Sequence, residues 1–217
     1  MNDTEERRTL CVGITGGTAS GKSRFALALR DELVDLRVAV LHQDHYIRDW
    51  EALGAEEAER QRTANSPPAV LWEPLIDHVQ GLKAGGSITY PVLGTRSSRR
   101  RIAPTTVGPV DVLLVEGHMI FWDERLRDMM DLRLFMEVDA DERMLRRVLR
   151  DTTERGMSSV EAVAAWYRRD VSPNYHRYTE PARRQAHLVV PYGFDNVVAA
   201  DVVAAGIRSL KSATRAS

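Results

Sequence analysis

The sequence has a single cysteine, Cys11, among 217 residues, so no disulfide can form within the chain. It also has little net charge, because 30 Lys and Arg residues nearly balance 31 Asp and Glu residues, for a formal charge of -1. Such a close balance of positive and negative side chains gives no sign of a general affinity for polyanions, and any basic surface must be local. Apolar runs are short, and none approaches the roughly 20 residues of a membrane-spanning helix. We therefore expect a protein that neither spans a membrane nor binds nucleic acid.

The chain is nonetheless apolar enough to fold, with 43% hydrophobic residues. Its length fits one domain, so we expect residues 1–217 to form a single unit with a polar tail over about residues 1–8. The first nine residues are polar and charged, unlike a secretory signal, which favours an intracellular protein.

Short apolar runs alternate with helical patterns along the chain. Buried strands are predicted at 10–14, 38–41, 110–115, 132–138 and 188–190. Helices are predicted after residue 23, over 51–62, 75–82 and 141–155, and after a cap at Asn196. This alternation is typical of an α/β fold with a parallel sheet of about five strands and helices on both faces. Weak alternation over 87–93 predicts a small edge hairpin, followed by a basic loop over 94–101.

A phosphate-binding motif follows the first predicted strand. It fits G-x-x-x-x-G-K-[ST] at every fixed position, through Gly16, Gly17, Thr18, Ala19, Ser20, Gly21, Lys22 and Ser23. The glycines let successive backbone N–H groups point at phosphate oxygens. Lys22 supplies a mobile charge for the β- and γ-phosphates, and the Ser23 hydroxyl can coordinate Mg²⁺. Because a strand precedes the motif and a helix follows it, we expect an ATP and Mg²⁺ site on a three-layer P-loop NTPase fold, not a chance turn.

Two carboxylates fall just past predicted strand ends. Asp44 follows 38–41, and Glu116 follows 110–115. Ligands bind outside the carboxyl ends of parallel strands, so both should face the P-loop. One could hold Mg²⁺ and the other could accept a proton from an attacking hydroxyl; the alternative for each is an ordinary loop acid.

Arginines form two clusters. Arg143, Arg146, Arg147 and Arg150 recur on one helical face, with Arg155 after them. This pattern favours an Arg-rich lid over about residues 141–180 that stabilises a transferring phosphoryl group, although a solvated face is the alternative. The second cluster, Arg96 and 99–101, could contact an anionic acceptor or remain plain surface. His42, His45 and His118 could line an acceptor pocket or serve structure alone.

Taken in order, several blocks resemble the uridine kinase/phosphoribulokinase family of P-loop kinases over about residues 10–196. The blocks are 13–23, 43–44, 115–117, 138–141, 146–151, 154–156, 180–181 and 189–191. The resemblance implies an ATP-dependent kinase that transfers the γ-phosphate to a hydroxyl of a small molecule, as in uridine or cytidine to UMP or CMP. It also implies a cytoplasmic enzyme of nucleotide salvage that forms a homo-oligomer, a tetramer or dimer.

The resemblance further implies roles for individual residues. Asp44 would be the general base, assisted by Lys22, Arg150 and Arg155, while Ser23 and Glu116 would hold the metal. Substrate contacts are expected from Asp44, Tyr46, Arg147 and His118.

The acceptor region departs from the family pattern. Asn65 stands where the family has an acid for the ribose hydroxyls, and Ala64 where it has a base-stacking aromatic. The other departures are Leu93, Ser98, Ala162 near the lid glutamine, and His45-Tyr46-Ile47 for Ser-Phe-Tyr. The acceptor therefore stays open between uridine or cytidine and a phosphosugar, pantothenate, glycerate or another nucleoside. A non-catalytic nucleotide-binding regulator is a third possibility, although it would need neither Asp44 nor the lid arginines.

Overall fold

The computed structural model describes residues 9–52, 63–153 and 159–215. Its strands are β1 Leu10–Gly16, β2 Val38–His42, β3 Ile88–Tyr90, β4 Thr105–Val107, β5 Val112–Glu116, β6 Leu132–Glu137 and β7 Leu188–Pro191. Five of them form one parallel sheet in the order β2-β5-β1-β6-β7. The prediction of five parallel strands is confirmed.

Helices connect these strands. They are α1 Lys22–Glu32, α2 Trp72–Lys83, α3 Arg96–Arg99, α4 Glu124–Asp128, α5 Ala140–Thr153, α6 Val160–Trp166, α7 Ser172–Asn174 and α8 Val197–Arg215. π-helical turns at Tyr167–Val171 and Tyr175–Thr179 join α6 and α7 into one continuous helical segment with the residues that follow. The Asn196 cap is confirmed, because its Oδ1 accepts a hydrogen bond from the Ala199 backbone N–H at 3.0 Å.

Two apolar cores lie on opposite faces of the sheet, since successive strand residues point in opposite directions. On one face, Phe25 and Leu29 of α1 and Ile207 of α8 pack with Val12 and other strand residues. On the other face, α2 packs against Cys11 and other buried strand residues. The α2 side chains in this core are Leu75, Ile76, Val79 and Leu82. Helices thus cover both faces, which confirms the three-layer fold.

The small hairpin differs from the prediction. β3 pairs antiparallel with β4, not with a strand inside 87–93, and the pair forms a separate two-stranded sheet. The predicted basic loop lies between these two strands and contains the short helix α3. The Thr95 side chain caps the start of α3 by accepting a hydrogen bond from the Ser98 backbone N–H at 3.1 Å. Of the helix predicted over 51–62, Trp50–Ala52 forms a 3₁₀ turn and the remainder lies outside the described residues. The described ranges contain no helix with the length and apolarity needed to cross a bilayer.

Candidate active site

The P-loop runs from the end of β1 into the start of α1. Gly16 and Gly21 have φ values of 147° and 86°, in the left-handed region that glycine tolerates best. A Cβ at Gly17 would lie 2.3 Å from Nη1 of Arg143, so only glycine fits there without a shift. Lys22 Nζ donates to the Gly17 carbonyl at 2.9 Å, and burial lowers the pKa of this ammonium. This hydrogen bond holds the Lys22 side chain against the loop whose bound phosphates it would contact.

A hydroxyl and a carboxylate meet beside this loop. Ser23 Oγ donates to Glu116 Oε1 at 3.0 Å, and His42 Nδ1 lies 2.6 Å from the same oxygen. The strand register explains the meeting, because Glu116 pairs with Ile14 of β1 on one side and with His42 of β2 on the other.

The same contacts shift the pKa values of Glu116 and His42. Burial acts to raise the pKa of Glu116, but the hydrogen bond from His42 and the charge of Lys22 outweigh it, so that pKa lies below its ordinary value. The hydrogen bond to Glu116 in turn raises the pKa of His42. Hydroxyl and carboxylate oxygens are the ligands that Mg²⁺ prefers, so Ser23 and Glu116 fit that ion. Within residues 9–52, 63–153 and 159–215, no group of three or more His, Cys, Asp or Glu side chains is arranged so that it could hold a metal ion by itself.

A cavity of about 1220 Å³ opens over the P-loop. Ten of the predicted site residues line it: Thr18, Ala19, Gly21, Lys22, Ser23, Asp44, Glu116, His118, Arg147 and Arg150. Gly16, Gly17 and Ser20 are buried and do not line it. Arg155 lies outside the described residues. The structure therefore brings most of the predicted site to one place, including both carboxylates from the strand ends.

The arginine stripe of α5 is not a solvated face. Arg143 and Arg147 are only 3% and 7% exposed. Arg147 Nη1 donates to Thr18 Oγ1 at 3.0 Å, and its Nε lies 3.0 Å from Asp151 Oδ2. Arg150 Nε donates to Asp151 Oδ1 at 2.9 Å. Thus Asp151 orients two cavity arginines, and one of them contacts the P-loop directly.

Arg143 has a packing role instead. Its guanidinium lies 4.2 Å from the ring centroid of Tyr175, and its Nε donates to the Val138 carbonyl at 3.0 Å. It supports the loop next to Gly17 and does not line the cavity.

Tyr46 is placed differently from the expected substrate contact. It is fully buried, and its hydroxyl forms a 2.7 Å hydrogen bond with His78 Nδ1 of α2. The 3₁₀ turn Gln43–Tyr46 rotates this side chain into the core while leaving Asp44 exposed at the cavity. His45 stacks on Tyr90 with ring centroids 5.0 Å apart and also stays off the cavity wall.

The cavity extends beyond the phosphate site to a second end that the motifs did not reveal. Trp50, Asn65, Trp166 and Arg169 line it, together with three residues of the second arginine cluster: Arg96, Arg99 and Arg100. The arginine cluster was recognisable from its charge, but the tryptophans and Arg169 had no motif around them. Their approach depends on contacts between distant segments of the chain.

A P-loop, a hydroxyl–carboxylate pair, an exposed carboxylate and buried arginines around one cavity define the site of a P-loop phosphotransferase. A family model described as the phosphoribulokinase / uridine kinase family matches residues 11–199. A protein named uridine kinase from Streptococcus pyogenes serotype M5 (strain Manfredo) is 35% identical over 204 residues, which are 94% of this chain and 97% of that protein. Uridine kinase from Lactococcus lactis subsp. cremoris (strain MG1363) is also 35% identical, over 94% of this chain and 98% of its own.

Among solved structures, a putative fructose transport system kinase from Silicibacter sp. TM1040 shares the fold. Its TM-score is 0.67 at 22% identity, and the match covers 88% of this chain and 93% of that one. The chain belongs to the phosphoribulokinase / uridine kinase family. It is an ATP-dependent kinase that phosphorylates a hydroxyl group.

Proposed function

We propose that this kinase phosphorylates uridine or cytidine to UMP or CMP. The observation that supports this acceptor is the 35% identity, over 94% of the chain, to proteins named uridine kinase. Similarity over nearly the whole length includes the segments around the second end of the cavity as well as the P-loop.

The phosphates of ATP would lie in the P-loop against Lys22, with Mg²⁺ held by Ser23 and Glu116. When bound, the ion neutralises charge on the phosphate oxygens. Asp44 is exposed at the cavity two residues after the end of β2, where it can accept the proton of an attacking hydroxyl. Arg147 and Arg150 would face the charge that develops on the transferring group.

Other expectations remain proposals. The segment 141–180 is proposed to act as an Arg-rich lid, on the basis of its cavity-lining arginines. Residues 1–217 are proposed to form one kinase domain. Cytoplasmic location, a homo-oligomeric state and a catalytic role for Arg155 stay predictions from the family resemblance.

An anionic acceptor is the second candidate, and a specific observation favours it. Arg96, Arg99 and Arg100 line the cavity, although Arg99 is already paired with Asp49 at 3.0 Å and Glu51 at 2.8 Å. A cluster of this kind suits a phosphate or carboxylate on the acceptor, as in a phosphosugar or glycerate.

Formation of ADP from ATP and Mg²⁺ with a panel of acceptors would test both candidates. The panel would hold uridine, cytidine, other nucleosides, pantothenate, glycerate and sugar phosphates. We expect turnover with uridine or cytidine to exceed all others. Efficient turnover with an anionic acceptor alone would contradict the first candidate and support the second.

A further inference from the structure

A buried pair of side chains lies at the second end of the cavity. Asn65 lines the cavity, and its Nδ2 donates a hydrogen bond to Oδ2 of Asp170. Asp170 is only 8% exposed and does not line the cavity itself. The two residues are 105 positions apart in the chain, so their contact joins two distant segments at this site.

Asp170 is held in place by its own segment. It lies in the π-helical turn Tyr167–Val171, and its Oδ1 accepts from Asn174 Nδ2 at 3.1 Å. Asn174 Nδ2 also donates to the Asp170 carbonyl at 2.8 Å. π-turns insert an extra residue into a helix and redirect its side chains, frequently at functional sites. Here the turn points a fixed carboxylate at Asn65.

The loop that bears Asn65 is fastened from other directions as well. The Asn65 backbone N–H donates to Thr63 Oγ1 at 2.9 Å. Trp50 Nε1 donates to the Thr63 carbonyl at 2.8 Å, which ties the same loop to the 3₁₀ turn Trp50–Ala52. The backbone of Asn65 is therefore fixed, and the orientation of its amide is the remaining freedom.

Asp170 removes that freedom. An amide presents an NH₂ group on one side and a carbonyl oxygen on the other, and its neighbours decide which way it turns. An ionised carboxylate only accepts hydrogen bonds, so the NH₂ of Asn65 must face Asp170. Asn65 Oδ1 is then left to accept a hydrogen bond from a ligand in the cavity.

We propose that Asp170 is a positioning residue for the phosphate acceptor. Through Asn65 it presents an amide oxygen that accepts a hydrogen bond from a donor group of that acceptor, other than the hydroxyl that is phosphorylated. The inference rests on the proposed function and narrows it to acceptors that carry such a second donor. Trp166, four residues before Asp170, also lines the cavity, and the guanidinium of Arg169 lies 5.1 Å from its ring centroid.

The pair also accounts for an asparagine at position 65. A carboxylate there would lie against the buried carboxylate of Asp170, and two like charges at hydrogen-bond distance cannot both be ionised without cost. An acid at position 65 and Asp170 are therefore incompatible in this chain. With aspartate at position 65 and asparagine at position 170, the hydrogen bond should form again, with the donor now at position 170 and the acceptor at position 65.

Steady-state kinetics of Asp170→Asn, Asn65→Asp and the double exchange would test the proposal. Each single change should raise the KM for the acceptor about tenfold or more, the usual effect of losing one well-placed hydrogen bond to a charged group, with little change in kcat or in the KM for ATP. The double exchange should return the acceptor KM to within about threefold of the unchanged chain. Asp201→Asn, at an exposed position of α8, is the matched control and should change none of these values.

Melting temperatures provide a readout that needs no substrate. Each single change should lower the melting temperature, and the double exchange should recover most of the loss, because the pair couples energetically. Acceptor KM values unaffected by the single changes, or losses that simply add in the double variant, would overturn the inference alone. Absence of turnover by the unchanged chain with every acceptor would overturn the proposed function and this inference with it.

Discussion

Ser23 and Glu116 are joined by a 3.0 Å hydrogen bond, although Ser23 lies in the first turn of α1 and Glu116 ends β5. Parallel pairing of β1 with β5 produces this contact by bringing the strand ends to the same edge of the sheet. The oxygen of Glu116 that accepts from Ser23 also contacts His42. Both contacts are made to Oε1, and together they fix the orientation of the carboxylate.

Replacing this carboxylate should affect the metal requirement first. Glu116→Gln keeps the size of the side chain but removes the charge that favours Mg²⁺. We expect kcat/KM to fall about 100-fold, as when one group is lost from a preorganised site, with a higher Mg²⁺ concentration for half-maximal rate. Initial rates over a Mg²⁺ titration would measure this. Glu32→Gln, at an exposed position of α1, is the control, and an unchanged Mg²⁺ midpoint in Glu116→Gln would remove Glu116 from the metal site.

Asp44→Asn tests the proposed general base. Asp44 is exposed at the cavity, so the amide should fit without disturbing the core. We expect kcat to fall by about 10²–10⁴, the usual contribution of general base catalysis, while the affinity for ATP measured by calorimetry stays the same. Asp31→Asn on α1 should retain full turnover as the matched control. Full turnover by Asp44→Asn would exclude a proton-accepting role for Asp44.

The sequence was sufficient to predict the part of the site that depends on local order and strand ends. Lys22 and Ser23 belong to one contiguous motif, and a motif of this kind fixes its own backbone. Asp44 and Glu116 could be placed because the carboxyl ends of parallel strands meet at one edge. Neither step requires knowledge of how distant side chains pack.

Features that depend on tertiary packing could not be predicted in this way. Tyr46 is two residues from Asp44, yet one turn of 3₁₀ helix separates a core residue from a cavity residue. The contact between Asn65 and Asp170 requires a π-turn, for which the sequence around residues 167–171 has no recognised signal. The pairing of β3 with β4 likewise spans a connection whose α3 helix depends on a single cap at Thr95.

Arg147→Lys tests whether the arginine that contacts the P-loop needs its planar head group. Arg147 contacts Thr18 of the P-loop through Nη1 and Asp151 through Nε, and a lysine ammonium cannot span both partners in the same geometry. We expect the KM for ATP to rise about tenfold even though the charge is kept. Steady-state kinetics with varied ATP would measure the change. Arg30→Lys on the exposed face of α1 is the control, and a wild-type KM in Arg147→Lys would show that charge alone is sufficient.

Asp111, directly before β5, should make the stability of the fold sensitive to acid. It accepts hydrogen bonds from the Arg37 backbone N–H at 3.0 Å, from Nε at 2.9 Å and from Nη2 at 3.2 Å. These contacts lower the pKa of Asp111 to about 2, and the side-chain hydrogen bond from Arg37 is the main cause. A carboxyl with a depressed folded-state pKa stabilises the fold above its unfolded pKa, near 3.9, and loses that contribution as the pH falls towards 2.

Asp111→Asn should therefore lower the free energy of unfolding at pH 7 by about 1–2 kcal/mol, a value reduced because Arg37 is half exposed and screened by solvent. The difference from the unchanged chain should shrink steadily below about pH 4, because Asp111 then takes up a proton in the unfolded chain before it does so in the folded chain, whose pKa is about 2. Urea denaturation at pH 7, 4 and 3 would follow this convergence. Asp77→Asn, at an exposed position of α2, should leave the unfolding free energy nearly unchanged at each pH. A difference for Asp111→Asn that stays constant from pH 7 to pH 3 would mean that the amide disturbs packing and that the ion pair with Arg37 contributes no pH-dependent stability.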